Sequence, residues 1–399
     1  MEDSEAPLKG IKILDLSNLM AGPMTCMYLA DFGADVVKAE HPKKGDEMRG
    51  WGNSKNGIGL FFKVVNRNKR TITLNLSTAA GQQLARDFAA EVDVVVESFR
   101  PGTLERWSLG YEELSKINPA LILVRISGYG QSGPNSDRPG FGTIAEAMSG
   151  AAYINGYDDR APLLPAFGLG DSSTAIHGAY AVTLSLLARQ KDGKGQCIDL
   201  ALYDGLLTML GPHIIDFDQL GIVQERTGGR LPFVAPRNAY STLDGGWIAL
   251  SGSTQATFER TLMALGLQKF MDDPRFNSNA LRVKNVEALD TILQNRFNEL
   301  EISAALSLLR EAGAPAGQVN SVRDVISDDH VQARENLSRL LDEDLGEVLM
   351  QSVVPRLLRT PGSLRHAGHS KGRDNAEVYS DWLGLDEAQL ARLHGEGAL

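Results

Sequence analysis

The chain has 399 residues, 43% of them hydrophobic, and a formal net charge of -10. That length supports two or three structural units with at least one full core, and the acidic balance, with no Lys/Arg run interleaved with aromatics, excludes a nucleic-acid partner. The N-terminal MEDSEAPLKG has no apolar core segment and no window is long enough to cross a bilayer, so a cytoplasmic protein with no membrane partner is expected, its two thiols, Cys26 and Cys197, reduced in apolar surroundings.

The first element is IKILDLSNLMAGP: Ile11 to Leu16 read as a strand, and Ala21-Gly22-Pro23 as a tight turn into a helix carrying Thr25, Leu29 and Phe32. ADVVKAEHP follows as a second strand. The rhythm repeats in LARDFAAEVDVVVESFRPG, a helix and then a strand over Val92 to Val96, and in LSKINPALILVRISGYG, with a strand from Leu121 to Ser127. Three such units place the first ~200 residues in the α/β class, an open Rossmann-like sheet with binding loops at the carboxyl ends of its strands. A dinucleotide fingerprint needs three spaced glycines after the first strand, whereas this turn offers only Gly22, so no dinucleotide cofactor is expected.

GFGTIAEAMSGAAYINGYDD reads as a helix lined with small residues, and apolar positions from Ile176 to Ala188 recur at helical spacing. KDGKGQ is a turn and CIDLALYDGL returns as a strand. From 223 to 318 the composition changes to a smaller α+β unit, with strands NAYSTL and GWIALSG joined by DGG and helices around Ala256 to Leu265 and Ala288 to Phe297. Residues 319–399, with the strand-like EVLMQSVVPRLL and a last helix near Leu385 to Leu393, are expected to fold back and complete the large domain begun by residues 1–222.

The seven histidines show no metal-binding spacing, and His366 and His369 have no third ligand nearby, so no metal is expected. There is no G-x-S-x-G elbow. Cys26 reads as a buried small hydrophobe or, near a helix N-terminus, as a thiol of somewhat lowered pKa. In FGLGDSSTAIHGAY, Asp171 stands before an apolar helix, where it could be a cap worth about 0.5–2 kcal/mol. Gly168 and Gly170 open a second reading. With side chains removed there, a substrate can approach the main chain, and an ionised carboxylate beside free N–H groups is suited to attack an activated acyl group. The loops expected to face it carry Arg49 and Trp51 in GDEMRGWG, Arg67, Lys69 and Arg70 in NRNKRTI, and Phe99, Arg100 and Arg106 in ESFRPGTLERWSLG. Each basic group alone reads as a solvated face; together they read as a site for phosphates with an adenine or acyl chain nearby.

The chain resembles the family III CoA-transferases, which include the formyl-CoA:oxalate and carnitine-CoA transferases and the α-methylacyl-CoA racemases. The likeness runs in order through KILDLSNLMAGPMTCMYLADFGADVVKAEHP, GDEMRGW, NRNKRTITLNL, DVVVESFRPGTLERWSLGY, RPGFGTIAEAMSG, GLGDSSTAIHGAYAVTLSLLAR, GKGQCIDLALYDG, PRNAYSTLDGGWIAL, DDPRFNSNALRV and AGAPAGQVN. It implies a large sheet domain built from both chain ends, a smaller central domain and two subunits threaded like links of a chain. It also implies that Asp171 is the catalytic aspartate: attack on a donor thioester gives a mixed anhydride, CoA returns to form an aspartyl thioester, and an acceptor carboxylate then receives the CoA.

By the same resemblance Trp51 lines the acyl site, Phe99 and Arg106 surround the CoA moiety, Ser98 stands where an asparagine is common, and Lys69 and Arg70 belong to the basic loop near the nucleotide. Met20 replaces a glutamine and Phe141 a tyrosine of the oxalate enzyme, which makes the pocket more apolar and argues against a small dianion. A larger acid is expected as acceptor, with succinyl-CoA or another acyl-CoA as donor and no tightly bound cofactor. Racemases carry a histidine at the Phe141 position, and phenylalanine cannot transfer a proton, so racemisation is the alternative and CoA transfer the main reading. His177 reads as a structural histidine or one supporting the site from behind. A non-catalytic subunit of a hetero-oligomer is a further alternative to a homodimer, and Gly228-Gly229 reads equally as a mobile covering loop or a plain turn.

Overall fold

A computed structural model describes residues 6–399. Six parallel strands form the main sheet: β1 (Lys12–Asp15), β2 (Asp35–Glu40), β3 (Lys69–Thr73), β4 (Val94–Glu97), β5 (Ile122–Ser127) and β6 (Cys197–Ala201). Their spatial order is β3-β2-β1-β4-β5-β6. The order reverses between β1 and β4, and the crevice at the carboxyl ends of those two strands is where open α/β sheets receive ligands.

Both faces of the sheet are covered, which is why the strands read as nearly continuous apolar runs. Successive side chains point to opposite faces. Leu14, Val37, Ile72, Val95 and Leu123 pack on one side with Leu84 and Phe88 of α2 (Ala79–Glu91). Ile13, Val36, Val94 and Val124 pack on the other with Cys26 and Leu29 of α1 (Ala21–Asp31) and Val182 and Leu186 of a long helix, α4 (Leu169–Asp192). The small-residue stretch after β5 is two helices rather than one, α3 (Gly142–Met148) and Ala151–Ile154, because Gly150 takes φ 88° between them.

The chain divides into two compact units. The larger comprises the residues up to Ala151, Pro165–Ile214 and Gln332–Leu399. Its C-terminal segment closes the open edge of the sheet: Asp374 Oδ2 accepts from Thr71 N at 2.6 Å, Asn375 Oδ1 accepts from Thr73 N at 2.8 Å, and Tyr379 donates to Thr73 O at 2.7 Å. Edge strands left unpaired are templates for aggregation, so this return supplies both partners and cover. Tyr379 and Trp382 then complete the core against Phe88.

The smaller unit comprises Ala152–Leu164 and Ile215–Val331. Arg237–Ser241 and Trp247–Ser251 pair antiparallel, and Ala316–Gln318 adds a third strand. Phe258, Phe276, Leu289, Leu293, Phe297 and Leu309 bury the inner face. Within this unit Gly228 packs against the Tyr157 ring, which a Cβ would meet at 2.6 Å, and its N–H donates to Gly156 O at 2.7 Å. Among the described residues no helix is long and apolar enough to cross a membrane.

Candidate active site

Helix α4 starts seven residues before the periodic apolar run, so Asp171 lies inside its first turn rather than ahead of it. The N-cap is Gly168, and no side chain caps the helix. Asp171 is therefore not the cap. Gly142 makes room for its carboxylate, since a Cβ there would overlap Asp171 Oδ2 and lie 3.0 Å from Cγ; Gly168 makes room for Met20, whose Sδ a Cβ would meet at 2.7 Å, and Gly170 for the Gly142 backbone, whose O a Cβ would meet at 2.8 Å. One turn after Gly142 on α3, buried Glu146 accepts a hydrogen bond from Gly170 N at 3.2 Å. Thr174 Oγ1 fixes the turn from behind, donating to Gly170 O at 2.8 Å and to Leu202 O at 3.1 Å.

The Asp171 carboxylate is half-buried, and its pKa is pushed up to about 6, first by burial and then by the Glu146 charge. A helix N-terminus by itself favours the ionised form, but here the end dipole is outweighed by desolvation and a like charge. Around neutral pH the group is still mostly a carboxylate. It lines a cavity of about 170 Å³ at the switch point of the sheet, together with Asn18, Met20, Ser98, Phe99 and Phe141. Ser98 Oγ accepts from Asn18 N at 2.9 Å, tying the ends of β1 and β4 across the crevice. Leu19 beside it has φ 65°, a conformation that costs a branched apolar residue energy; buried Asp46 holds it there, accepting from Leu19 N at 3.1 Å while paired with Lys38 at 2.9 Å.

Of the residues singled out from the sequence, this cavity gathers Asp171, Met20, Ser98, Phe99 and Phe141. Trp51 is not among its lining residues; it is 46% exposed after the short helical turn Glu47–Gly50. Arg106 is exposed, its guanidinium donating to Thr103 Oγ1 at 2.9 Å. The NRNKRTI cluster is spent on internal pairs. Lys69 is fully buried, its ammonium held by Asp15 (2.9 Å), Asn66 Oδ1 (2.9 Å) and Pro23 O (2.7 Å), so all three donors are used. Arg70 pairs with Asp35 and Glu377, and Arg67 with Asp31. None of these three reaches the cavity, contrary to the expectation of a phosphate-facing loop.

Cys26 is buried beside Asp15, and burial pushes its thiol up, not down. Cys197, expected in apolar surroundings, is exposed. His177 turns Nδ1 to Ser173 O at 2.8 Å and is not among the cavity's lining residues. Among the described residues no group of three or more His, Cys, Asp or Glu side chains is placed to hold a metal ion. Arg100 and Arg138 also line the cavity, and neither is engaged in an ion pair among the described residues. Sequence reasoning passed over Glu146, Gly142 and Arg138. The one signal for Glu146 is a lone carboxylate in the small-residue run GTIAEAMSG.

Known proteins resemble this chain over almost its whole length. The chain is 41% identical over 391 residues to a succinyl-CoA–D-citramalate CoA-transferase of Chloroflexus aurantiacus, covering 98% of this chain and 97% of the relative. It is 33% identical over 398 residues to the mouse (Mus musculus) succinyl-CoA:glutarate CoA-transferase, covering 100% and 91%. A crystal structure of a CaiB/BaiF family protein from Brucella suis superposes with a TM-score of 0.84 at 32% identity, over 95% of this chain and 100% of that one. The model of CoA-transferase family III matches residues 8–375, and the chain belongs to this family, which moves CoA between acyl-CoA and carboxylic acid pairs.

Proposed function

We propose that this chain transfers CoA from succinyl-CoA to a short dicarboxylic acid through covalent intermediates on Asp171. The observation that carries the reading is the Asp171 carboxylate itself, in the first turn of a 24-residue helix, fitted against Gly142, opening on the switch-point cavity and drawn up to a pKa of about 6. A raised pKa makes a carboxylate a better nucleophile while leaving it ionised near neutral pH.

An Asp171 oxygen attacks the donor carbonyl carbon, the C–S bond breaks, and its electron pair leaves on the CoA sulfur. The thiolate attacks Asp171 Cγ, and the donor acid departs as a carboxylate carrying one oxygen that began on Asp171. An acceptor carboxylate then attacks Cγ of the aspartyl thioester, expelling CoA thiolate. That thiolate attacks the acceptor carbonyl, and Asp171 is regenerated with one oxygen from the acceptor. At the head of α4, Leu169 N and Gly170 N already donate to Phe167 O and Glu146, so in this scheme the oxyanions fall to backbone N–H groups at the head of α1, which borders the cavity. Free CoA and acyl-CoA are substrates in this scheme, with Phe99, Ser98 and Arg106 holding the CoA and Trp51 bordering the acyl group.

The named relatives act from succinyl-CoA on D-citramalate and glutarate. A four- or five-carbon diacid suits a cavity of about 170 Å³ with Met20 and Phe141 for its methylenes and Arg100 and Arg138 for its far carboxylate. The working form is an interlocked homodimer. Its support is an apolar groove of about 710 Å³ along α4, lined by Tyr28, Phe32, Ile176, Tyr180, Val354 and Leu357.

The test is peptide mass spectrometry after incubation with succinyl-CoA and a hydroxylamine quench. A hydroxamate on the Asp171 peptide, absent from Asp171→Asn, is expected. Continued turnover with an unmodified Asp171, or exchange of the acyl α-proton with deuterium without CoA transfer, overturns the reading.

A further inference from the structure

Behind Asp171, and not among the residues that line the switch-point cavity, lies a second carboxylate that the transfer scheme does not use. Glu146 is 4% exposed, and the hydrogen bond from Gly170 N at 3.2 Å is its contact with the nucleophile's own turn. Gly142 and Glu146 are four residues apart on α3 and so lie on one face, the face turned to the head of α4. Gly142 receives the Asp171 carboxylate and Glu146 receives the amide immediately before it. Two acidic groups are thus held beside one another in a partly desolvated place where like charges repel.

We infer that Glu146 is a positioning residue that biases Asp171 toward its covalent states. Ionised Asp171 faces a like charge; as an anhydride or a thioester it is neutral, and the repulsion is gone. Glu146 therefore destabilises the free carboxylate against every acylated form. The same interaction disfavours loss of the Asp171 proton, which agrees with the direction of its pKa.

The other charged groups around Asp171 are few. Arg100 and Arg138 reach the cavity from the loops after β4 and β5. His177 lies further along α4 with Nδ1 on Ser173 O, and Asp204, on the helix Asp204–Met209 packed against α4, is occupied by Ala201 N at 2.9 Å. On α1, Asp31 sits at the far end, paired with Arg67. Glu146 is the acidic group whose hydrogen bond reaches the Asp171 turn.

This inference rests on Asp171 being the nucleophile, and the test separates the two. In Glu146→Gln the amide oxygen can still accept from Gly170 N, but the charge is gone. The acid limb of kcat/KM should move toward lower pH by about one unit, and the equilibrium yield of aspartyl thioester, measured by hydroxylamine trapping against the succinyl-CoA:succinate ratio, should fall by the same factor, about tenfold per unit. Glu146→Asp, which keeps the charge but withdraws it by one methylene, should move the limb in the same direction by less than Glu146→Gln does.

If wild-type Asp171 is never trapped, the nucleophile assignment fails. If it is trapped but the limb and the yield stay in place in Glu146→Gln, Glu146 is only a structural acceptor and the inference is overturned. Should Glu146→Gln fail to fold, ¹³C-carboxyl NMR of the wild-type protein decides: an Asp171 titration at the ordinary aspartate position overturns the inference, and a displaced one that moves back in Glu146→Asp, where the charge sits one methylene further away, supports it.

Discussion

Asp171 places a cost on the folded protein. Its pKa is raised from 3.8 to about 6, so between those values the folded state holds a proton that the unfolded chain has released. Stability attributable to this group is present at low pH, falls as pH rises through that window, and is fully lost above about 6. Asp171→Asn should thus be more stable than the parent at pH 8, by about 1–3 kcal/mol once partial solvent exposure is allowed for, with the difference closing near pH 4. Urea melts of both proteins at the two pH values measure this. The same substitution should lower turnover at least about 10³-fold, and the parent's kcat/KM should decline below about pH 6 as the nucleophile protonates. Gly142 supplies a complementary case. A methyl group there overlaps Asp171 Oδ2, and the carboxylate is the movable partner. Gly142→Ala should cost about 10²-fold in kcat/KM with little change in melting temperature, because it shifts the reacting atoms rather than the core.

Two helices carry the site, and their crossing sets its dimensions. Met20 precedes α1, Asp171 opens α4, and the helices approach closely at Gly178, where a Cβ would lie 2.6 Å from Thr25 Oγ1 and 3.0 Å from Thr25 Cγ2. Thr25 is buried and bonded to Ala21 O (3.0 Å) and Ala175 O (3.4 Å), so it cannot retreat. Gly178→Ala should destabilise the protein by about 1–3 kcal/mol and reduce kcat/KM, and adding Thr25→Ala should recover much of the stability; thermal melts of the three variants report both effects. The sheet strands were legible because burial on both faces leaves continuous apolar runs. The start of α4 was hidden, since a glycine N-cap carries no side-chain signal and LGDSSTA is too polar and small to look periodic. Ala316–Gln318 has no apolar pattern either and becomes a strand only by pairing with Trp247–Ser251. Lys69 misled for another reason: its partner Asp15 lies 54 positions away, and spacing alone cannot reveal an ion pair made across a sheet.

The carboxylate at a helix head was visible in the sequence; the company it keeps was not, because Gly142, Glu146 and Asp171 meet only through the packing of α3 on α4. The apolar positions of α4 recur at helical spacing, yet Ile176 is 53% and Tyr180 62% exposed in the single chain. Together with Tyr28, Phe32, Val354 and Leu357 these side chains form an apolar surface that a lone soluble chain rarely leaves open. In the proposed dimer a second copy covers it. Ile176→Asp combined with Tyr180→Asp should then give monomers by light scattering, since each buried carboxylate adds desolvation to lost apolar area. Threading makes a sharper demand than association. Two rings of chain passed through each other cannot part unless one opens, so exchange of subunits should be as slow as unfolding, whereas surfaces that merely touch exchange at their dissociation rate. Two homodimers bearing different affinity tags, mixed in native buffer, should yield no mixed dimer over days. After denaturation and joint refolding, the mixed species should form in the statistical proportion. Rapid exchange in native buffer would keep the apolar interface and remove the interlocking.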